Sequence, residues 1–154
     1  SIIDVVGTAI CLEMLRIEKV FSSVLHDGCG HIECSHGILP VPVPAVLQML
    51  AGSGIPLVSE NVRTELITPT GMALIKCMAS GFGKAPPMIV EKVGYGFGKR
   101  DTGRLAALRV TMGETFTETD INHDGKYSLE TGFTMNIGSD IICNKFYDRS
   151  TENG

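Results

Sequence analysis

Hydrophobic and polar positions alternate with several different periods along this chain, and each change of period marks an element. Over residues 4–15 the apolar Val5, Ala9, Leu12 and Leu15 recur at helical spacing, and Gly7 is the one poor helix former. That pattern predicts a buried helix ending near Arg16. Residues 19–25 are rich in β-branched and aromatic side chains and predict a strand, with His26-Asp27-Gly28 as a turn and 30–35 returning as the second strand of a hairpin. Pro40, Pro42 and Pro44 then alternate with valines. Three residues without a backbone donor impose an extended strut, and Pro44 suits the first position of a short helix over 45–50.

Gly52-Ser53-Gly54 closes that helix, and 55–59 reads as extended. Thr68-Pro69-Thr70-Gly71 precedes the apolar run 72–78, the pattern of a helix capped by Thr68 or Thr70. Segments 88–93 and 107–112 are the clearest remaining strands, and a glycine-rich stretch, 94–98, follows directly on the first of them. These elements predict an α/β protein of mixed α+β layers, a single domain with an irregular C-terminal tail. Beyond Glu114 the composition turns to Thr, Asp, Asn, Gly and Ser, and apolar residues regroup only at Ile141 and Ile142. Residues 115–154 are therefore expected to be a linker and an unfinished element, distinct from 1–114.

Composition narrows the function classes. A chain of 154 residues, 44% hydrophobic and 19% charged, has the makings of one folded core. With 18 glycines and 6% aromatics, that core is built of small aliphatics joined by many turns. A net charge of −4 and the lack of any Lys/Arg cluster oppose a nucleic-acid partner, because neutralising phosphates needs concentrated positive charge. No apolar run approaches the roughly 20 residues that span a bilayer, so no membrane role is expected. Five cysteines at irregular spacing do not make a disulfide framework, which favours a reducing cytoplasm. The chain opens at Ser1 with an amphipathic segment already under way, and a missing N-terminal part is expected.

Four groups of residues could carry chemistry. Cys29, His31, Cys34 and His36, with His26 close by, are the thiolate and imidazole set that holds nickel, zinc or copper. In a continuous strand Cys29 and His31 face one side while Cys34 and His36 face the other, so a two-ligand contribution and plain buried cysteines with surface histidines both stay open. His36, anchored ahead of the proline strut, is the best-held imidazole of the four histidines. In Glu65-Leu66-Ile67-Thr68-Pro69-Thr70-Gly71 a carboxylate and two hydroxyls flank a helix start, which suits either an anion or a plain N-cap. Gly94-Tyr95-Gly96-Phe97-Gly98-Lys99-Arg100-Asp101 reads either as a phosphate-binding loop or as a glycine-rich turn. Asp120, Asn122, Asp124, Gly125 and Ser128 begin like a calcium loop, but Thr131 stands at the twelfth place, and an Asx-rich turn explains the same residues.

Taken in order, three of these stretches resemble the LarC family of nickel insertion proteins, whose chains carry His-Gly-x-x-Pro-Val-Pro-x-Pro-Ala, Glu-Leu-x-Thr-Pro-Thr-Gly and Gly-Tyr-Gly-x-Gly-x-x-Asp. Here they run over 36–45, 65–71 and 94–101. The opening residues 1–7 resemble the family segment that follows a Phe-His-Glu-Val-Gly-Ala motif, and Leu108-Arg109-Val110 through Gly113-Glu114 resemble its closing strand, so the resemblance covers 1–114. It implies insertion of Ni(II) into pyridinium-3,5-bisthiocarboxylic acid mononucleotide during nickel-pincer cofactor biosynthesis, as a lyase-class nickel chelatase that uses CTP with Mn2+ or Mg2+.

On that resemblance His36 and Glu65 are the candidate catalytic residues and metal ligands, and Thr68, Thr70, Gly96, Gly98 and Lys99 the candidate anchors of the mononucleotide; Cys34, from the Cys/His cluster, is a further candidate metal ligand. Cys29, His31 and Cys34 stand where the family has small, aromatic or variable residues, and Thr64 stands where it has glycine. Leu129-Glu130-Thr131 faintly resembles the start of the CTP-linked second domain, a pattern the following residues do not continue. The upstream histidine motifs are absent as well, so this chain alone is expected to be inactive. The competing expectations are a noncatalytic metal-binding module built on Cys29, His31, Cys34 and His36, and a truncated family member that has lost activity. Homo-oligomerisation stays open.

Overall fold

A computed structural model describes residues 1–35, 37–98 and 107–116, together with the backbone of 134–136 and 141–144. It shows mixed α/β layers: three helices, α1 (Ile2–Met14), α2 (Pro44–Leu50) and α3 (Pro69–Met78), accompany three sheets among the described residues. The main sheet has the order β6-β1-β10-β8-β7, with β9 (Thr134–Asn136) also paired to β8. Its strands are β1 (Val20–Ser22), β6 (Ala79–Phe82), β7 (Met88–Phe97), β8 (Ala107–Thr115) and β10 (Ile141–Asn144). β1 runs parallel to β6, β10 parallel to β8, and β7 antiparallel to β8.

Two smaller pairs lie outside that sheet. β2 (Leu25–Asp27) pairs in parallel with β5 (Leu57–Ser59), and β3 (His31–Cys34) forms an antiparallel hairpin with β4 (Gly37–Pro40). The expected strand 19–25 is thus divided, and His26 and Asp27 belong to β2 instead of a turn. The Ser22 and Ser23 hydroxyls donate to the backbone carbonyls of Ser23 and Val24. Such local side-chain bonds give the backbone an alternative to the ladder, and the strand breaks there. The hairpin partner of β3 is accordingly β4, which takes in the first proline of the strut.

The buried core is small and aliphatic, as the composition predicts. Leu25, Val46, Ile67, Met72 and Ile75 are each no more than 2% exposed, with Val20, Val43 and Met112 around them. Met72 and Ile75 are three apart on α3 and so share its inward face. Burying each such side chain stabilises by roughly 1.5–3 kcal/mol, and through them α3 contributes to the common core. Lys76 Nζ donates to the Met49 carbonyl at 2.6 Å and fixes α3 to α2.

α1 departs from expectation. None of its 13 residues is buried, and Ile2, Ile3 and Met14 are more than three-quarters exposed. Its apolar residues lie all round the helix, whereas it meets the described body along one side only, beside α3. No helix among the described residues is long and apolar enough to cross a membrane.

Candidate functional site

The best-organised polar feature is a strap, residues 60–67, drawn across the end of β2. The Asp27 carbonyl accepts from the Glu60 amide at 2.7 Å, and the Cys29 amide donates to the Val62 carbonyl at 2.8 Å. Asp27 Oδ1 accepts three amides, from Gly28 at 2.8 Å, Leu66 at 2.8 Å and Ile67 at 3.2 Å. The strap lies so close to Gly28 that a Cβ there would sit 1.8 Å from the Thr64 carbonyl oxygen. Asp27 itself is fully buried, and its Oδ2 has no hydrogen-bond partner among the described residues.

This strap carries Glu65 into a position only 8% exposed, directly before the helix start. Thr68 then caps α3: its Oγ1 accepts the Gly71 amide at 3.1 Å, and Pro69 opens the first turn, where a missing amide costs nothing. Thr68 is exposed and Thr70 half-buried. On the neighbouring side of β2, His26 Nδ1 lies 2.7 Å from Glu60 Oε1, and both side chains are 30% exposed. A carboxylate on one ring nitrogen fixes the imidazole's orientation. Strand alternation sends His26 and Asp27 to opposite faces.

Other expected site residues fall elsewhere. Cys34 is half-buried in the β3–β4 hairpin, where its Sγ donates to the Gly37 carbonyl at 3.4 Å, and His31 is exposed on the same strand. Among the described residues no three His, Cys, Asp or Glu side chains are grouped as one metal ion would require. His36 and Lys99 lie outside the described residues, as does the calcium-like stretch 120–131.

Gly94 and Gly96 do not form a loop: both belong to β7, opposite Val110 and Leu108 of β8. The reason is that β8 supplies a continuous partner as far as Ala107, so these residues are drawn into the ladder, and Gly98 alone of the three follows the strand. An arrangement of free amides converging on a phosphate is therefore not what the described part of this motif presents.

A cleft of about 710 Å³ separates α1, α3 and the β7–β8 face. It is lined by apolar groups, among them Cys11 of α1, Gly71 and Ile75 of α3, and Gly94 and Val110 of the sheet, with Asp4, Thr8 and Lys92 adding a few polar atoms. Gly71 and Gly94 thus bring two of the sequence motifs to one space, while Glu65, Thr68 and Thr70 do not line it. Asp27 and the pairing of His26 with Glu60 are what sequence reasoning missed. Asp27-Gly28 has the composition of a turn, and their partners lie 34 to 40 positions away.

An α/β body whose helix start is braced by a buried acidic strap is the class that fold and site define. The chain matches the family model described as "Nickel insertion protein" over residues 1–133, past Glu114, and it belongs to that family. It is 59% identical over 124 residues to the pyridinium-3,5-bisthiocarboxylic acid mononucleotide nickel insertion protein of Acetivibrio thermocellus, covering 80% of this chain and 30% of that protein. The protein of the same name from Lactiplantibacillus plantarum is 53% identical over 116 residues, covering 74% and 28%. A putative nickel insertion protein of Enterococcus faecalis is 41% identical over 138 residues, covering 85% and 41%. The chain therefore spans well under half the length of these relatives. No solved structure matches it.

Proposed function

We propose that this chain supplies part of the site at which nickel is inserted into pyridinium-3,5-bisthiocarboxylic acid mononucleotide, during biosynthesis of the nickel-pincer cofactor. One observation carries the reading: the family match spans the whole braced unit from Asp27 to Thr68, so the elements that hold Glu65 belong to the matched segment. Residues 1–114 act in this reading as part of the family's N-terminal domain, and 115–154 as a linker and an unfinished element.

Nickel here is substrate. As Ni(II) bonds to the ring carbon and to the two sulfurs, the ring proton leaves to a base and the oxidation state of nickel is unchanged. We assign that base to Glu65, whose near-complete burial removes competing water, and the presentation of nickel to His36 with Glu65 as a further ligand. Because the Thr68 hydroxyl accepts the Gly71 amide, its part is to shape the helix start, and phosphate binding falls to Thr70, Gly98 and Lys99. In this reading the intact activity is that of a cytoplasmic, lyase-class chelatase consuming CTP with Mn2+ or Mg2+. In this reading the chain by itself binds its ligands without turning them over.

Calorimetric titration of the 154-residue chain with Ni(II), and separately with the mononucleotide, tests this. Both are expected to bind, and Glu65→Gln is expected to weaken nickel at least tenfold with the circular dichroism spectrum unchanged. Absence of mononucleotide binding, or nickel affinity untouched by Glu65→Gln, refutes the assignment.

A further inference from the structure

We infer that Asp27 is the positioning residue for Glu65, a clamp that acts through the strap and touches neither nickel nor mononucleotide. This rests on the proposed function only in giving Glu65 its contact with nickel; the clamp itself stands on the geometry. A single oxygen, Oδ1, takes the amides of Leu66 and Ile67, the two residues that follow Glu65 in the chain. Fixing those two amides fixes the peptide planes leading out of Glu65, while the Glu60 amide on the Asp27 carbonyl fixes the strap at its other end. The same residue thus holds both ends of the strap from the edge of β2, which is itself paired with β5.

Burial makes the arrangement specific. Asp27 is 0% exposed and Gly28 leaves no space beside it, so neither water nor a neighbouring side chain replaces a lost Oδ1. A buried acidic side chain with one oxygen triply engaged and the other unpartnered is costly to maintain for packing alone. Its structure-bearing atom is Oδ1. An asparagine retains an equivalent carbonyl acceptor there and changes only the atom that has no hydrogen-bond partner among the described residues, whereas alanine removes the acceptor altogether.

The test uses the 154-residue chain with Ni(II) as the probe. Asp27→Ala is expected to weaken nickel at least tenfold and Asp27→Asn to recover most of that loss. In a Glu65→Gln background Asp27→Ala should add little, since a residue acting through Glu65 has nothing left to position. An equal loss in both backgrounds, or an asparagine variant as poor as alanine, overturns the inference. Amide exchange at Leu66 and Ile67 gives a second readout that needs no ligand. Asp27→Ala should speed it at least tenfold in the folded chain and Asp27→Asn should leave it near wild type, and unchanged protection in the alanine variant overturns the clamp. Protected amides in a wild-type chain that binds no nickel would instead sink the nickel reading and leave the clamp standing.

Discussion

Replacing Gly28 with alanine gives the sharpest stability test of the strap. The added methyl would lie 1.8 Å from the Thr64 carbonyl oxygen and 2.5 Å from that of Val62, against 3.4 Å or more for an ordinary contact. Both obstacles are backbone, so no side-chain rotation relieves them, and the strap must retreat by about 1.6 Å. A retreat of that size stretches the 2.8 Å bond from Cys29 to Val62 beyond hydrogen-bond reach and pulls on the two amides held by Asp27. Each such bond contributes about 0.5–1.5 kcal/mol net, so the loss is on the order of 2–4 kcal/mol. Within a total stability of roughly 5–15 kcal/mol that is a large share. Urea unfolding followed by far-ultraviolet circular dichroism measures it, with Gly94→Ala as the control, because a Cβ at Gly94 meets nothing within 4 Å. The reasoning fails if Gly28→Ala unfolds within about 0.5 kcal/mol of wild type, or if Gly94→Ala is equally damaging.

Other predictions follow from the same contacts. Thr68→Ala removes the acceptor of the Gly71 amide and should lower stability by about 1 kcal/mol in the same urea assay, while Thr68→Ser should restore most of it. Met72→Ala, at a position with no exposed surface, should cost about 2–5 kcal/mol in the same urea assay and shift the methyl resonances of Ile67 and Ile75, which share its core. The paired change Cys29→Ala and Cys34→Ala should leave mononucleotide binding as it was, and a loss of all nickel binding in that variant would favour the noncatalytic metal module. His36→Ala should cut nickel affinity at least tenfold, read by titration, and wild-type affinity would remove His36 from the ligand set.

How much of this was legible beforehand varies with the range of the interactions. Helices α2 and α3 were readable because their signals are local: a proline at the first position, glycines after the last turn of α2, and a threonine before Pro69. Of the two threonines offered as caps, only the structure selects Thr68, since the choice depends on which hydroxyl reaches the Gly71 amide. The glycine-rich stretch misled because Gly-x-Gly marks freedom of the backbone and says nothing of whether a partner strand lies alongside. Residues 88–97 form one strand because β8 pairs along them on both sides of an irregularity at Glu91.

By itself the sequence determined the α/β class, the aliphatic core and the order of motifs by which the family is recognised. All of these depend on composition or on residues within a few positions of one another. Tertiary structure decided that Asp27 is a buried anchor instead of a turn residue, that His26 meets Glu60, and that Glu65 is held nearly out of water. Those facts come from hydrogen bonds closing loops of 34 to 40 residues, and no local pattern of side chains encodes which distant amide a carboxylate will accept.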